Sequence, residues 1–546
     1  MRRLLRSPLA AALLTAATLF CPALVRAQGQ VLIPAEALQS DVQIQQVLSD
    51  GAALEREGRW GEALGHYEDA KKDFPGRREI SQRVELARMH LDIARRYSDT
   101  TFLTALAASD VNKALDLYGE VLLKIQTHYV HNPDWQGFVD RGARALDVAL
   151  TEPEFIKRYY GEVAPERLTP VRQELRKLLG STTVRSRLEA RDAVGRAANL
   201  VWQRLRLPAQ AIVTEYACAA VGALDPYSSF LTAGQLEDVF SQIEGNFVGL
   251  GIEIKADEQS LMIVNVIPGG PAARGGLVGG DRIVAVNAAS MTEVSTDEAA
   301  EMLKGVEGST VELSVVGEDG VRRQLHLRRE RVEVPSVIDV GILDQEQGVG
   351  YFRITSFQKT TVRDVDSALW QLHRDGMKSL IVDVRGNPGG LLNASVEIAD
   401  KFVSAGTIVS TRGRNPREDY DHKAHAIGTW RVPLIVLIDG DSASASEIFA
   451  GAIHDHRRGT VVGQRSYGKG SVQGIFPLTG SEAGVRLTTA KFYSPSGQAI
   501  SDRGVSPDIV VHSVAKPALY GQPVDPQQDP VLKAGMDVAR QQLSQR

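Results

Sequence analysis

The chain has 546 residues, room for three or four domains of ordinary size. Lys+Arg 62 against Asp+Glu 67 leaves a net charge of −5, so there is no basic field and no nucleic-acid partner is expected. Two cysteines exclude a disulfide-stapled scaffold or a Cys-rich metal framework, while 43% hydrophobic residues can fill real cores.

Arg2, Arg3 and Arg6, an apolar run from Leu9 to Leu24, and then Val25-Arg26-Ala27 follow the pattern of a secretory signal peptide, residues 1–27. The run is Ala-rich and shorter than the ~20 residues that a membrane span needs, so cleavage is expected rather than a retained anchor. Cleavage after Ala27 removes Cys21 and leaves Cys218 alone. The expected location is the periplasm or cell envelope.

Residues 37–180 read as a helical N-terminal region. Within it the stretch from Gly51 to Tyr67, with Ala70 and Phe74-Pro75, resembles one tetratricopeptide unit. No second copy follows at the ~34-residue period. An ordinary helical hairpin and a protein-docking repeat therefore stand as equal readings. A further helical part, residues 181–244, contains the turn Leu224-Asp225-Pro226-Tyr227.

At Gly245 the period shortens. Residues 245–330 alternate as strands (Gly249–Ile254, Leu261–Val266, Val311–Val316, Arg322–Arg328) around one amphipathic helix, Ser295–Lys304. That is a small β-rich domain. Residues 335–512 alternate strand and helix, with strands that are nearly continuous Val/Ile/Leu runs, as in an α/β domain covered on both faces. Residues 513–546 form a Pro- and Gln-rich tail with one terminal helix, Pro530–Leu543.

Chemistry in such a domain belongs beyond the carboxyl ends of the strands. One end carries Asp383-Val384-Arg385-Gly386-Asn387-Pro388-Gly389-Gly390, whose backbone N–H groups can hold an oxyanion or simply make a tight turn. Another carries Asp439 to Glu447 and opens a helix, Ala443–His456, with one apolar face. Ser442 reads as its N-cap, and Ser444 lies in the first turn, where the helix dipole favours developing negative charge. As a nucleophile Ser444 needs a base. His454 and His456 lie about 15 to 18 Å along the helix axis, too far to take its proton. His422 and His425 lack a third ligand, so no metal and no cofactor are expected. Lys469, between Gly468 and Gly470, is the remaining candidate, and it must be buried to become neutral. A phosphate-binding or plain loop lysine is the competing reading, although the Walker spacing is absent.

Together these segments resemble the C-terminal processing (tail-specific) peptidase family, Ser–Lys proteases with an inserted PDZ domain. The resemblance covers about Leu117 to Pro507. It rests on Leu224-Asp225-Pro226-Tyr227-Ser228-Ser229-Phe230-Leu231, Gly249-Leu250-Gly251-Ile252, Asp383 to Gly390, Ser442 to Glu447 and Gly468 to Gln473.

The resemblance implies a multidomain chain with a helical N-terminal region, a PDZ domain and an α/β crotonase/Clp-protease-like serine protease domain. It implies Ser444 as nucleophile, Lys469 as general base and Gln473 as the residue orienting that lysine. The oxyanion hole would be the N–H of Ala445 plus one from Gly389 or Gly390. Gly249, Leu250, Gly251 and Ile252 would receive a substrate's C-terminus. The expected partners are protein substrates with apolar C-termini, an adaptor on the helical region, and further copies of the chain in a homo-oligomer. The competing functions are a non-catalytic PDZ-based envelope scaffold, and a crotonase-like acyl-CoA enzyme argued from fold alone.

Overall fold

The computed structural model describes residues 35–159, 165–257, 260–292, 294, 296–512 and 525–545. The expected signal peptide lies outside them. Among the described residues no helix is long and apolar enough to cross a membrane. The chain divides into two compact units, Met1–Leu91 and Asp92–Arg546.

In the first unit, helices Ala35–Arg56 and Trp60–Asp73 form a hairpin followed by the start of helix Arg78–Ser98. Ile44, Ala63, Tyr67, Ala70, Ile80, Val84 and Ala87 make its core. A Cβ at Gly51 would lie 2.2 Å from the Tyr67 ring, so the glycine of the tetratricopeptide-like stretch is where the two helices approach.

The second unit begins with a helical layer whose centre is helix Ala209–Gly222, buried from Ala211 to Val221. It is Ala-rich because neighbours pack against its backbone. Inside this layer Glu215 is fully buried and pairs with Arg96 at 2.6 Å. The chain leaves the layer through strand Ser229–Leu231, which pairs antiparallel with Gly484–Tyr493. That long strand also pairs with Ser471–Pro477 and Thr407–Gly413, and Tyr420–Lys423 closes the sheet.

The second sheet runs in the order Val337–Asp344, Val349–Ile354, Ser379–Asp383, Leu434–Ile438, Thr460–Gly463, Ile509–Val510. Its first pair is antiparallel and the rest are parallel. Successive strand residues point to opposite faces. Phe352, Val382 and Val436 pack under helices Thr361–Arg374, Leu392–Asp400 and Ala445–Asp455. Tyr351, Ile381, Ile435 and Leu437 pack under helix Pro530–Ser544 through Val531, Leu532 and Met536. The reading of residues 513–546 as a tail is corrected here, since this helix supplies one layer of the domain.

A buried charge network ties that layer to the sheet. Arg385, 1% exposed, donates to Asp383 at 2.6 Å and to Asp529, the N-cap of the last helix, at 2.7 Å. Tyr351 Oη adds a bond to Asp383 at 3.0 Å. Burial works against the Arg385 charge, and the two carboxylates more than offset it. Replacing Arg385 with Met strands two carboxylates, so unfolding free energy is expected to fall by about 3–5 kcal/mol in urea denaturation. A change below about 1 kcal/mol would mean that the network carries no stability.

The β-rich domain is an insertion. Strands Asn246–Gly249 and Glu330–Glu333, the way in and the way out, pair antiparallel as a two-stranded stem. Its own sheet runs Ile252–Asp257, Ser260–Val266, Arg282–Val286, Thr310–Val316, Arg322–Arg328, around a core that includes Leu250, Ile263, Ile283, Leu313 and Leu327.

Candidate active site

Strand Leu434–Ile438 delivers the chain to a tight turn at Asp439–Ser444. The N-cap of helix Ala445–Asp455 is Ser444, not Ser442 as the sequence suggested. Ser442 is fully buried instead, donating to the Val384 carbonyl at 2.8 Å and bonding the Asp439 N–H at 3.0 Å. It staples the two strand-end loops together. Ser444 has φ +56° and ψ −110°, a conformation that costs an L-residue on the order of 1–3 kcal/mol and is retained where neighbours over-determine it. Such a strand-to-helix elbow lifts a serine hydroxyl off the sheet edge.

The neighbour that enforces it is Glu447, a residue to which the sequence assigned no role. Its carboxylate is fully buried. It accepts the N–H of Ser444 at 2.8 Å and of Lys469 at 2.9 Å, and also Gly468 N–H at 2.7 Å and Ser466 Oγ–H at 2.6 Å. One side chain therefore fixes the backbones of both the serine and the lysine. Burial raises the Glu447 pKa, and those four donors offset only part of the rise. The only foresight available was that Glu lies three residues after a serine at a helix start, the spacing of a capping box.

Lys469 is half-buried. Burial lowers its pKa below the usual lysine value, Arg486 lowers it further, and Glu447 and Asp225 oppose the shift. Its Nζ lies 5.2 Å from the centre of the Tyr227 ring. Asp225 positions that ring by accepting the N–H groups of Tyr227 and Ser228, and it also accepts the Thr488 hydroxyl. The Leu224–Leu231 segment, distant in sequence, thereby becomes a wall of the lysine site. Among the described residues no hydrogen bond joins Ser444 Oγ to Lys469 Nζ, and the Gln473 amide donates to Ser471 Oγ at 2.8 Å rather than meeting the lysine. Such contacts commonly tighten only when substrate is bound.

The glycine loop closes the third side. Gly389 (φ +108°) and Gly390 (φ +138°) adopt conformations suited to glycine. A Cβ on Gly389 would lie 2.8 Å from the Ser444 Cβ and 3.0 Å from the Ala445 nitrogen. Asn387, fully buried, holds the loop by donating to the Ile354 carbonyl at 2.9 Å and accepting the Gly389 N–H at 2.8 Å. Gly389 is thus the glycine beside Ala445, with its N–H held by Asn387, while Gly390 packs against the Phe357 backbone.

Ser444, Ala445, Gly389, Gly390, Lys469 and Gln473 all line one cavity of about 1220 Å³, which extends past Phe247 of the stem to Lys304 of the inserted domain. Lys304 pairs with Asp238 at 2.7 Å at that rim. In the inserted domain, among the described residues, Ile252–Asp257 is an end strand paired only with Ser260–Val266, and helix Thr296–Leu303 packs against it. Gly249 ends the stem, Leu250 is buried, and Gly251 has φ +77°. These residues lead directly into the open edge. His422 packs edge-on against Tyr420, and His425 faces Asp400 at 2.9 Å, both away from this cavity. Among the described residues no group of three or more His, Cys, Asp or Glu could hold a metal.

Ser444 at its strand-to-helix elbow shares one cavity with the glycine loop, and the inserted β-rich domain borders it; this multidomain α/β chain is a serine-type peptidase. The sequence profile of Peptidase family S41 matches residues 348–511, and that of the PDZ domain matches residues 238–316. The carboxy-terminal-processing protease of Bartonella bacilliformis is 38% identical over 297 residues, 53% of this chain and 67% of that protein. The carboxyl-terminal-processing protease of a Picosynechococcus species is 33% identical over 293 residues, 53% of this chain and 70% of that protein. A solved structure of a photosystem II D1 C-terminal processing protease is 25% identical, covering 73% of this chain and 93% of that one, with a TM-score of 0.38. The chain belongs to the carboxy-terminal-processing proteases of peptidase family S41.

Proposed function

We propose that the chain is an exported endopeptidase that captures proteins by an apolar C-terminal tail and cleaves them through a Ser444–Lys469 dyad. The observation that carries this reading is the single Glu447 carboxylate bonded to the backbones of both residues, at a cavity that both line.

Neutral Lys469 accepts the Ser444 hydroxyl proton as the oxygen attacks the scissile carbonyl. The resulting oxyanion lies against the N–H of Ala445 and one from the Gly389–Gly390 loop, held in place before reaction. Collapse breaks the C–N bond, and Lys469 returns its proton to the leaving amine. Water then attacks the acyl-serine, with Lys469 again taking and returning the proton. Gln473 orients the amine once it turns from Ser471. The substrate's tail pairs along the free edge of Ile252–Asp257, with its carboxylate at Gly249–Ile252. Export rests on the pattern of residues 1–27.

The test uses the purified mature chain and a folded protein carrying an apolar C-terminal tail. Cleavage is expected for that substrate and is expected to fall by about tenfold or more when the last residues are made acidic. In cells the mature protein is expected to begin at Gln28 in an envelope fraction. Equal cleavage of both substrates would reject tail capture, and an unprocessed N-terminus in the cytosol would reject export.

A further inference from the structure

We propose that Arg486 determines specificity, its guanidinium receiving a carboxylate of the substrate peptide beside the scissile bond. This rests on the peptidase reading above. Arg486 lies on the strand Gly484–Tyr493, opposite Ser229 on one side and Ile475 on the other, and its side chain lines the cavity that holds Ser444, Lys469 and Gln473.

Other buried arginines of this unit find acceptors within the chain, Arg329 in the backbone carbonyls of Met302 and Leu303 and two more in carboxylates. Arg385 meets Asp383 and Asp529, and Arg96 meets Glu215. Arg486 does not. Its Nε is buried without an acceptor, and among the described residues no ion pair reaches it. Burial alone accounts for its lowered pKa, and a guanidinium remains charged at neutral pH all the same. A buried donor with no acceptor is costly, and the half-buried Arg486 keeps the rest of its fork open to the cavity. The acceptor must then come from outside the chain, and a peptide lying across the cavity is what can bring it. The planar fork of donors suits a carboxylate better than a lone carbonyl. That carboxylate can belong to an internal Asp or Glu or to a peptide's own C-terminus.

The experiment measures kcat/KM for matched fluorogenic peptides. One set carries Glu or Gln at each position flanking the scissile bond, and another ends as free acid or amide. At one position the wild type is expected to favour the carboxylate by on the order of tenfold or more. The ratio is expected to fall to near unity in Arg486→Gln and to be partly kept in Arg486→Lys. Each ratio is taken within one enzyme, so any change in Lys469 basicity cancels. The position of the lost preference tells an internal from a terminal carboxylate. A free-acid preference that survives in Arg486→Gln belongs to the PDZ groove and counts against Arg486. Flat ratios in an active wild type overturn this proposal alone, whereas a wild type that cleaves none of the peptides overturns the peptidase reading beneath it.

Discussion

Ser444→Ala and Lys469→Ala are each expected to lower kcat/KM for a tail-bearing substrate by on the order of 10⁴-fold or more, and the double variant by no more than the worse single one. Nucleophile and base act as one unit, so removing either ends the covalent route. Lys469→Arg is expected to fail as fully as the alanine, because a guanidinium stays charged and cannot accept the serine proton. The pH profile follows from the same requirement. Only the neutral amine is active, so kcat/KM rises as pH increases through the Lys469 pKa. Burial and Arg486 lower that pKa, which brings the rise to a lower pH than an exposed lysine would show. Arg486→Gln removes one of those causes, and the limb is expected to move to higher pH. Stopped assays across pH, with circular dichroism to establish folding, decide the matter. Appreciable turnover by folded Lys469→Ala would reassign the base.

Much of this site was legible in sequence because its parts are loops at strand ends. The continuous Val/Ile/Leu runs of Val349–Ile354 and Leu434–Ile438 placed those strands, and the glycines and serines after Val384 and Ile438 marked the ends that matter. What escaped was everything whose meaning is long-range. Strands Ser471–Pro477 and Gly484–Tyr493 carry Gln473, Arg486, Thr488 and Thr489 among their apolar residues, and no period of two survives that mixture. Gln473 and Arg486 face the cavity and Thr488 bonds Asp225, a fact that exists only once the strands pair. The Ser442–Ser444 exchange of roles has a similar origin. Either serine suits a helix start, and the positive φ that selects Ser444 is imposed by Glu447 from within the fold. The helix Pro530–Ser544 showed its amphipathic pattern, but nothing local says which sheet face it covers or that Asp529 meets Arg385.

Glu447 is where the second large effect is expected. Glu447→Gln is predicted to reduce kcat/KM by about 10²-fold or more, and Glu447→Ala by more still, with tail-peptide affinity for the PDZ domain unchanged in both. An ionised carboxylate offers about four acceptor sites, and here four donors use them. An amide oxygen offers two, and its NH₂ would face N–H groups that are themselves donors. At least two buried donors then lose their partner, each at about 1–3 kcal/mol. The elbow at Ser444 has the most to lose, since its strained φ persists only while the surroundings hold it. Relaxation there moves the hydroxyl, and release of the Gly468 and Lys469 backbone moves the amine, so one substitution misaligns both partners. The effect is expected in kcat more than in KM, because substrate capture lies elsewhere. Amide hydrogen exchange should speed up at Ser444, Gly468 and Lys469 while the strand cores Leu380–Val382 and Ile435–Leu437 stay protected. A Glu447→Gln enzyme with wild-type kcat would show that serine and lysine are held by something other than this carboxylate.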